Sequence, residues 1–423
     1  MLIRPTRCPH YLPHGLLTLP LILLSLLLAG CDNNNAPTLT TSIPAATVTS
    51  ENPPLQQTTL QIWAYAGTAL QQCHRHTLTL QQTLTALLQQ TDDTNLQQAR
   101  HSWHQAHNCL QTLRRYLLLA DVSPDLFSSL GEQVFAIDAW PIQPGYLDYF
   151  DVYSFSGIVH DIAVPLTAAD LRQQHGFSDV TDVSIGFHAI AYLLWGEHGT
   201  RPLTDFIAET SITTEQQSGG LSLTDLPGHR RRALLTLLGQ LLVDDLQGLQ
   251  QQFDANATPP ATNTQTAMAT TIAASAMATA AIATTTSAPA STQATTVYQQ
   301  LPAKTRLLLW QQVIQRQLAQ VLAANRADAP PHNEFAGNSP QVLIAELNGL
   351  EQILFNANDH QPLVSFMLDT EEQAVLRKAL AAAKTELAAS AAAEGTTKEE
   401  RLQSLLQALT TAAATLSPAP PQP

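Results

Sequence analysis

Apolar residues recur at alternating steps of three and four positions along two neighbouring segments that begin near Leu60. This spacing collects apolar side chains on one face of a helix, so both segments are predicted to be amphipathic helices. Because only residues 91–95 separate the segments, we expect the helices to pack as an antiparallel hairpin. The two stripes consist of Ala66, Leu70, Cys73, Thr77, Leu80, Leu84 and Leu87, and of Leu96, Ala99, Trp103, Ala106, Leu110, Leu113 and Leu117.

Helical spacing returns near His229 and, after an interruption, continues to about residue 416. Leucine-rich segments at residues 234–242, 307–310 and 343–355 carry it, followed by two segments rich in Ala and Leu. No comparable run shows the alternation of apolar and polar residues that is typical of a strand. The pattern therefore predicts an all-α protein with two helical domains.

Composition suggests where the domains begin and end. Residues 254–297 are Ala, Thr, Ser and Pro with almost no charge, which favours a disordered insertion because little apolar bulk is present to bury. The predicted parts are a signal peptide at 1–31, a flexible tether at 32–55, a first bundle at 56–206, a linker at 207–228, a second bundle at 229–253 and 298–416 that flanks the insertion, and a tail at 417–423.

The N-terminus has the pattern of an export signal. Arg4 and Arg7 precede an apolar stretch at residues 16–28, and the sequence Leu-Ala-Gly-Cys at 28–31 matches a bacterial lipobox. We expect lipid on Cys31 to anchor the protein to the bilayer of the cell envelope, as a periplasm-facing lipoprotein of the inner or outer membrane. The alternative is an ordinary signal peptide with a chance cysteine.

Charge and cysteine usage agree with an exported protein. The formal net charge of -14 argues against nucleic acid as a partner and decides little else. Cys73 and Cys109 remain once Cys8 leaves with the signal and Cys31 carries lipid. Helices paired about Asp93 would leave Cys73 and Cys109 out of register by about 7 Å, at the edge of disulfide reach. The pair is either a disulfide or two small buried thiols.

The segment at residues 186–196 is the strongest candidate for chemistry. It is an apolar helix with a single imidazole, His188, which follows Gly186 and precedes Ala191 by one turn. A His and a carboxylate three residues apart would both point at one cation, and imidazole suits Fe, Zn and Cu. His188 is therefore either a metal ligand or a structural histidine inside the bundle.

Gly186 and His188 resemble the G-x-H-x-x-E signature of the imelysin family, with Ala191 in the place of the Glu. The family is all-helical, which implies two related helical-bundle domains packed side by side, with the metal site where the domains meet. It also implies a role in iron uptake. Further segments similar to the family are residues 137–141 with Trp140 and Pro141, residues 145–149, residues 230–246 and residues 332–339.

Other polar residues have two interpretations each. Glu132 and Asp138 are candidate ligand carboxylates or helix-end residues, and His332 and Glu334 either reach the same cleft from the second domain or cap a helix. The arginines at 230–232 favour a solvated helix start over a contact with anionic lipid. The histidines of the first hairpin, including His74, His76, His101, His104 and His107, favour solvated side chains over a metal cluster.

These features favour a non-catalytic binding lipoprotein for iron or haem acquisition, which takes a divalent metal, iron or a haem ligand and works with an envelope transporter or receptor. The alternative is an interaction protein whose metal site is degenerate. The family was first described as peptidases, but this chain lacks H-E-x-x-H and G-x-S-x-G motifs. No catalytic residue is therefore predicted.

Overall fold

The computed structural model describes residues 52–143, 145–254, 293–325, 335–356, 360–390 and 396–416. Its described part consists of α-helices, short 3-10 turns and loops, with one isolated bridge between Phe150 and Tyr153 in place of any strand. The predicted all-α fold is confirmed. The predicted signal peptide, lipidated Cys31, most of the tether, nearly all of the insertion and the tail lie outside the described residues.

The first two helices form the predicted hairpin. Helix α1 spans Pro53–Gln89 and helix α2 spans Asp93–Gln111. The side chain of Asp92 accepts a hydrogen bond of 2.8 Å from the amide of Asn95, which caps the start of α2. Every residue of the two predicted stripes is buried, so the three- and four-residue spacing located the contact face correctly.

A disulfide joins the two helices of this hairpin. Cys73 of α1 and Cys109 of α2 are bonded, and their Cα atoms are 5.4 Å apart. The offset of about 7 Å expected from a symmetric turn is therefore too large. The bond closes a covalent loop around the turn between α1 and α2.

Short helices and loops follow the hairpin, in the region where prolines break the helical pattern. Gly186 and Gly196, both with positive φ, bound the buried helix that contains His188. The helices are α3 at Arg114–Leu117, α4 at Leu119–Val122, α5 at Ser128–Asp138, α6 at Ala168–Gln174, α7 at Phe187–Trp195 and α8 at Thr214–Ser218, with 3-10 turns at Leu203–Phe206 and Leu223–Asp225.

The later helices pack on the first hairpin around a shared core. Trp63 of α1 stacks on Tyr298 with ring centroids 4.1 Å apart, and its indole donates to Thr295. The helices are α9 at Pro227–Phe253, α10 at Ala294–Gln300, α11 at Ala303–Ala324, α12 at Ser339–Phe355, α13 at Thr370–Ser390 and α14 at Thr396–Thr415, with a 3-10 turn at Leu363–Phe366.

One hydrophobic core contains buried residues from both predicted bundles. The described residues, which begin at residue 52, belong to one compact unit, in which α1 of the first predicted bundle packs along α9 of the second. The division into two domains at residues 207–228 stays a prediction. Among the helices that the structure describes, none is both long and apolar enough to cross a bilayer.

The arginines at the start of α9 are not a solvated helix start, and that prediction is wrong. Arg230 and Arg231 are buried, with relative exposures of 6% and 4%. The guanidinium of Arg230 donates to four backbone carbonyls, those of Ile158, Val159, Asp161 and Val164, at 2.7 to 3.0 Å. These carbonyls belong to a loop without regular structure, so the arginine replaces the hydrogen bonds that a helix or sheet would supply.

Arg231 joins a second buried centre, around the carboxylate of Asp148. Its Nε lies 2.6 Å from Asp148 Oδ2, Arg201 donates to the same oxygen at 2.9 Å, and His160 Nε2 lies 3.3 Å from Oδ1. Hydrogen bonds from His160 and Arg231 and the charges of both arginines outweigh the effect of burial and hold the pKa of Asp148 well below its usual value. The loop between α5 and α6 is therefore bound to α9 by an ion pair as well as by carbonyl contacts.

Candidate metal centre

Three side chains that can ligate a metal meet between α2, α5 and α7. His107 lies near the end of α2, Asp138 is the last residue of α5, and His188 is in the first turn of α7. Asp138 Oδ1 lies 3.0 Å from His107 Nε2 and 3.3 Å from His188 Nε2. One potential ligand atom from each residue falls within 4.8 Å of the other two, and all three side chains are at most 1% exposed.

Gly186 allows this meeting because it brings the start of α7 against the end of α5. Its φ of 90° lies in the region that only glycine adopts readily, and a Cβ atom there would lie 2.7 Å from the carbonyl oxygen of Ala136. The indole of Trp103 donates to the carbonyl of Phe187 at 2.8 Å, which ties the same turn to α2. The glycine of the predicted motif thus has a packing role.

Aromatic and polar neighbours fix the orientation of the three groups. The ring of Trp140 lies 4.8 Å from that of His188, and Trp103 stacks on His107 at 4.7 Å. Gln111 Nε2 donates to Asp138 Oδ2 at 2.8 Å, so both carboxylate oxygens of Asp138 are engaged. Such contacts restrict the side-chain rotamers of ligands before any ion binds.

Burial and hydrogen bonding set the charge state of the cluster. Burial alone would raise the pKa of Asp138, but hydrogen bonds from His107 and His188 hold it well below the usual carboxyl value. Burial lowers the pKa of His107 despite the nearby carboxylate. The cluster therefore contains an ionised carboxylate and a neutral imidazole at neutral pH, which are the protonation states that bind metal ions.

The donor set and its spacing fit a first-row transition metal. A tetrahedral ion bound at about 2.0–2.2 Å holds neighbouring ligand atoms about 3.3 to 3.6 Å apart. Asp138 Oδ1 and His188 Nε2 are already at such a separation, 3.3 Å, and Asp138 Oδ1 and His107 Nε2 are slightly closer, at 3.0 Å. Two imidazole nitrogens and one carboxylate oxygen suit Fe(II) or Zn(II), and three protein ligands leave coordination positions open. The same separations are those of hydrogen bonds, so the ion-free arrangement is also satisfied.

The structure brings some of the predicted site residues together and leaves others apart. His188 is in the cluster and Trp140 packs on its ring, next to Pro141 across a cis peptide bond. Ala191 is buried one turn after His188, and Glu132 is exposed on α5, away from the cluster. His332 and Glu334 lie outside the described residues.

The helix break at Gly196 does not bring another carboxylate to the cluster. Glu197 Oε2 accepts a hydrogen bond from the amide of Asp151 at 3.0 Å, so it faces the loop at residues 145–160. His198 is exposed. Neither residue replaces the glutamate of the family motif.

The interpretation of His107 as a solvated side chain is wrong, since it is fully buried. His107 comes four residues after Trp103 and three before Leu110, both on the buried stripe, so helical spacing could have placed it on that face. Its neighbour His104 is partly buried, and burial lowers the pKa of His104 to about 4. Asp138 could be predicted only as one carboxylate among several.

Comparison with known proteins agrees with this fold. The sequence profile of the Imelysin family matches residues 66–416. The chain belongs to that family. This imelysin also resembles a crystal structure from Parabacteroides distasonis ATCC 8503, described as an iron-regulated protein A precursor, with a TM-score of 0.50 and 10% identity over 87% of this chain and 95% of that chain. At that identity the likeness concerns the fold alone. No curated protein matches the sequence significantly.

Proposed function

We propose that this imelysin is a non-catalytic binding protein of the bacterial cell envelope that holds one divalent cation at His107, Asp138 and His188. The observation that carries the proposal is the convergence of three metal-binding side chains from three helices at one buried point. A lipid on Cys31 would anchor the protein to the bilayer, and an envelope transporter or receptor would exchange the ion with it.

Iron is the cation that we favour. Two imidazoles and one carboxylate are ligands that Fe(II) accepts, and they leave further coordination positions unfilled by these three residues. The similar structure from Parabacteroides distasonis is described as an iron-regulated protein, which supports the same assignment. Because the three side chains are at most 1% exposed, the site suits a bare ion better than haem, whose macrocycle would need a wide cavity.

The burial of the ligands also supports a binding role over a peptidase role. A metallopeptidase must present its metal-bound water and a general base to an extended peptide. Here Trp103, Trp140 and the three helices surround the donor atoms, so a peptide bond would not reach them without a large rearrangement.

One observation favours a second candidate, an interaction protein with a degenerate site. Ala191 replaces the glutamate of the family motif, and Asp138 already has hydrogen-bond partners in the two histidines and Gln111. In that case the cluster would be a structural network that binds no ion. The protein would then act through a surface that docks its partner.

Metal analysis of the natively purified protein tests the two candidates. We expect about one equivalent of iron or zinc, lost in Asp138→Asn and His188→Ala and retained in the matched control His198→Ala, which changes an exposed histidine of the next segment. Equal and near-zero metal in all four proteins, with no binding on titration with Fe(II) or Zn(II), would refute the cation site. If Ala191→Glu alone creates affinity, the degenerate-site candidate is correct.

The membrane anchor has a separate test. Mass spectrometry of the N-terminal peptide should show acylation at Cys31, and Cys31→Ser should move the protein from the membrane fraction to the soluble fraction. A cleaved but unacylated N-terminus would show an ordinary signal peptide instead.

A further inference from the structure

A buried carboxylate that the cluster itself does not contain lies close to it. Glu346 of α12 is only 6% exposed, and it interacts electrostatically with both Arg114 and Asp138. Arg114 begins α3, and its Nη1 lies 3.5 Å from Asp138 Oδ2. The guanidinium of Arg114 therefore interacts with the carboxylates of two different helices, Asp138 of α5 and Glu346 of α12.

Close packing fixes α12 in this position. A Cβ atom on Gly349 would overlap the carbonyl of Thr112, so α12 makes its closest approach where α2 passes into α3. Glu346 precedes Gly349 by three residues and therefore shares its face. At the start of α12, Asn338 donates to Asn108 of α2 at 3.3 Å. These contacts place the face of α12 that contains Glu346 against the junction of α2 and α3, next to the start of α3 where Arg114 lies.

The charges of the cluster change sharply when a divalent cation enters. Before an ion binds, the positive charge of Arg114 neutralises the negative charge of Asp138. After binding, the same buried region would hold the ion and the guanidinium against a single carboxylate, which is costly in a medium of low dielectric constant. Glu346 is the nearby group that can correct this, because it is a buried carboxylate on the face of α12 that packs against the start of α3. Burial raises its pKa to about 7, so a neighbouring positive charge favours its ionised form.

We propose that Arg114 is an exchangeable counter-charge: it pairs with Asp138 in the ion-free protein and moves to Glu346 when a cation occupies the cluster. The inference rests on the proposed function, since it needs a cation at His107, Asp138 and His188. In this arrangement Glu346 is a positioning residue that acts through Arg114. It contributes the second negative charge that the glutamate of the family motif would supply and that Ala191 lacks. It also connects ion binding to the packing of α12.

A double-mutant cycle in cation affinity tests the exchange. Fe(II) and Zn(II) are titrated into the full-length protein, into Arg114→Gln, into Glu346→Gln and into the double variant. We expect Glu346→Gln to weaken binding by about tenfold or more, as the loss of other groups that support ligands does. Arg114→Gln should bind at least as tightly as the natural chain, and Glu346→Gln should have no further effect in that background.

Matched variants separate this role from a general structural one. Glu346→Asp should recover most of the affinity because it restores the charge, and Glu351→Gln should leave affinity unchanged because its carboxylate pairs with Lys384 at the surface. If Glu346→Gln weakens binding equally with and without Arg114, or not at all, the exchange is refuted while the cation site stands.

A readout without metal keeps the inference testable if the natural chain binds no ion. Asp138→Asn removes the partner of Arg114, so the guanidinium should turn to Glu346 in the ion-free protein. The shifts in Tm from Asp138→Asn and Glu346→Gln should then be non-additive, as expected for coupled groups. Additive shifts would refute the exchange, whereas a failure of metal binding alone would refute only the cation site.

Discussion

The backbone of Gly186 approaches the carbonyl oxygen of Ile137 so closely that a Cβ atom on the glycine would lie 2.6 Å from it. That contact joins the first turn of α7 to the last turn of α5, which are the two turns that carry His188 and Asp138. The geometry of the candidate metal centre therefore depends on a residue that has no side chain.

Gly186→Ala should destabilise the protein by about 3 kcal/mol or more, because it adds a clash with backbone to the strain of a positive φ. The control is Gly220→Ala, since Gly220 also has a positive φ of 82° but nothing within 4 Å of an added Cβ atom. Urea denaturation of both variants measures the difference. Equal costs would show that the contact with α5 relaxes easily.

Acid should destabilise the protein between about pH 6.5 and pH 4. Burial lowers the pKa of His104 to about 4 from 6.5, so the unfolded chain binds a proton at this position before the folded chain does. Stability therefore falls as the pH decreases through this window, and His107, whose pKa is also lowered by burial, acts in the same direction.

The slope of Tm against pH measures this effect. In His104→Gln the loss of Tm between pH 6.5 and pH 4 should be smaller than in the natural chain. His198→Gln, at an exposed histidine, should reproduce the natural curve. A His104→Gln curve parallel to that of the natural chain would contradict the prediction.

Loss of Arg231 should cost about 3–5 kcal/mol, because it removes one partner of a buried ion pair and leaves Asp148 with less compensation. Arg172→Gln breaks an ion pair of similar length with Asp245 at the surface and should cost at most about 1 kcal/mol. Denaturant unfolding of Arg231→Gln and Arg172→Gln gives the comparison. Similar small costs would mean that the loop keeps its position without Arg231.

Reduction of the disulfide between Cys73 and Cys109 should lower stability by about 4 kcal/mol, the loss expected when a loop of this length is opened in the unfolded chain. The measurement is the free energy of unfolding with and without reductant. Cys73→Ser with Cys109→Ser is the genetic counterpart and should be insensitive to reductant. No difference between oxidised and reduced protein would show that the bond adds no stability.

The hairpin of α1 and α2 could be predicted because its signal is local. Steps of three and four residues place Leu70, Leu80 and Trp103 on contact faces wherever the rest of the chain goes. The buried helix around His188 follows from an equally short segment. Such patterns need no knowledge of partners that are distant in sequence.

The positions of Arg230, Asp138 and Glu346 could not be predicted in this way. Arg230 binds carbonyls 66 to 72 residues earlier in the chain, and backbone carbonyls leave no signature in a sequence. Asp138 and His107 meet across 31 residues of separation. An arginine run at a helix start usually indicates solvent, and only the tertiary fold shows that these side chains are buried.

The loop that separates Asp138 from His188 in the chain depends on arginines that come later in the sequence. A fragment that ends at residue 206 contains His107, Asp138 and His188, but not the guanidinium groups of Arg230 and Arg231 that hold this loop. The surroundings of the three donors are therefore completed by α9, and a truncated first half of the protein lacks groups that the loop needs to keep its conformation.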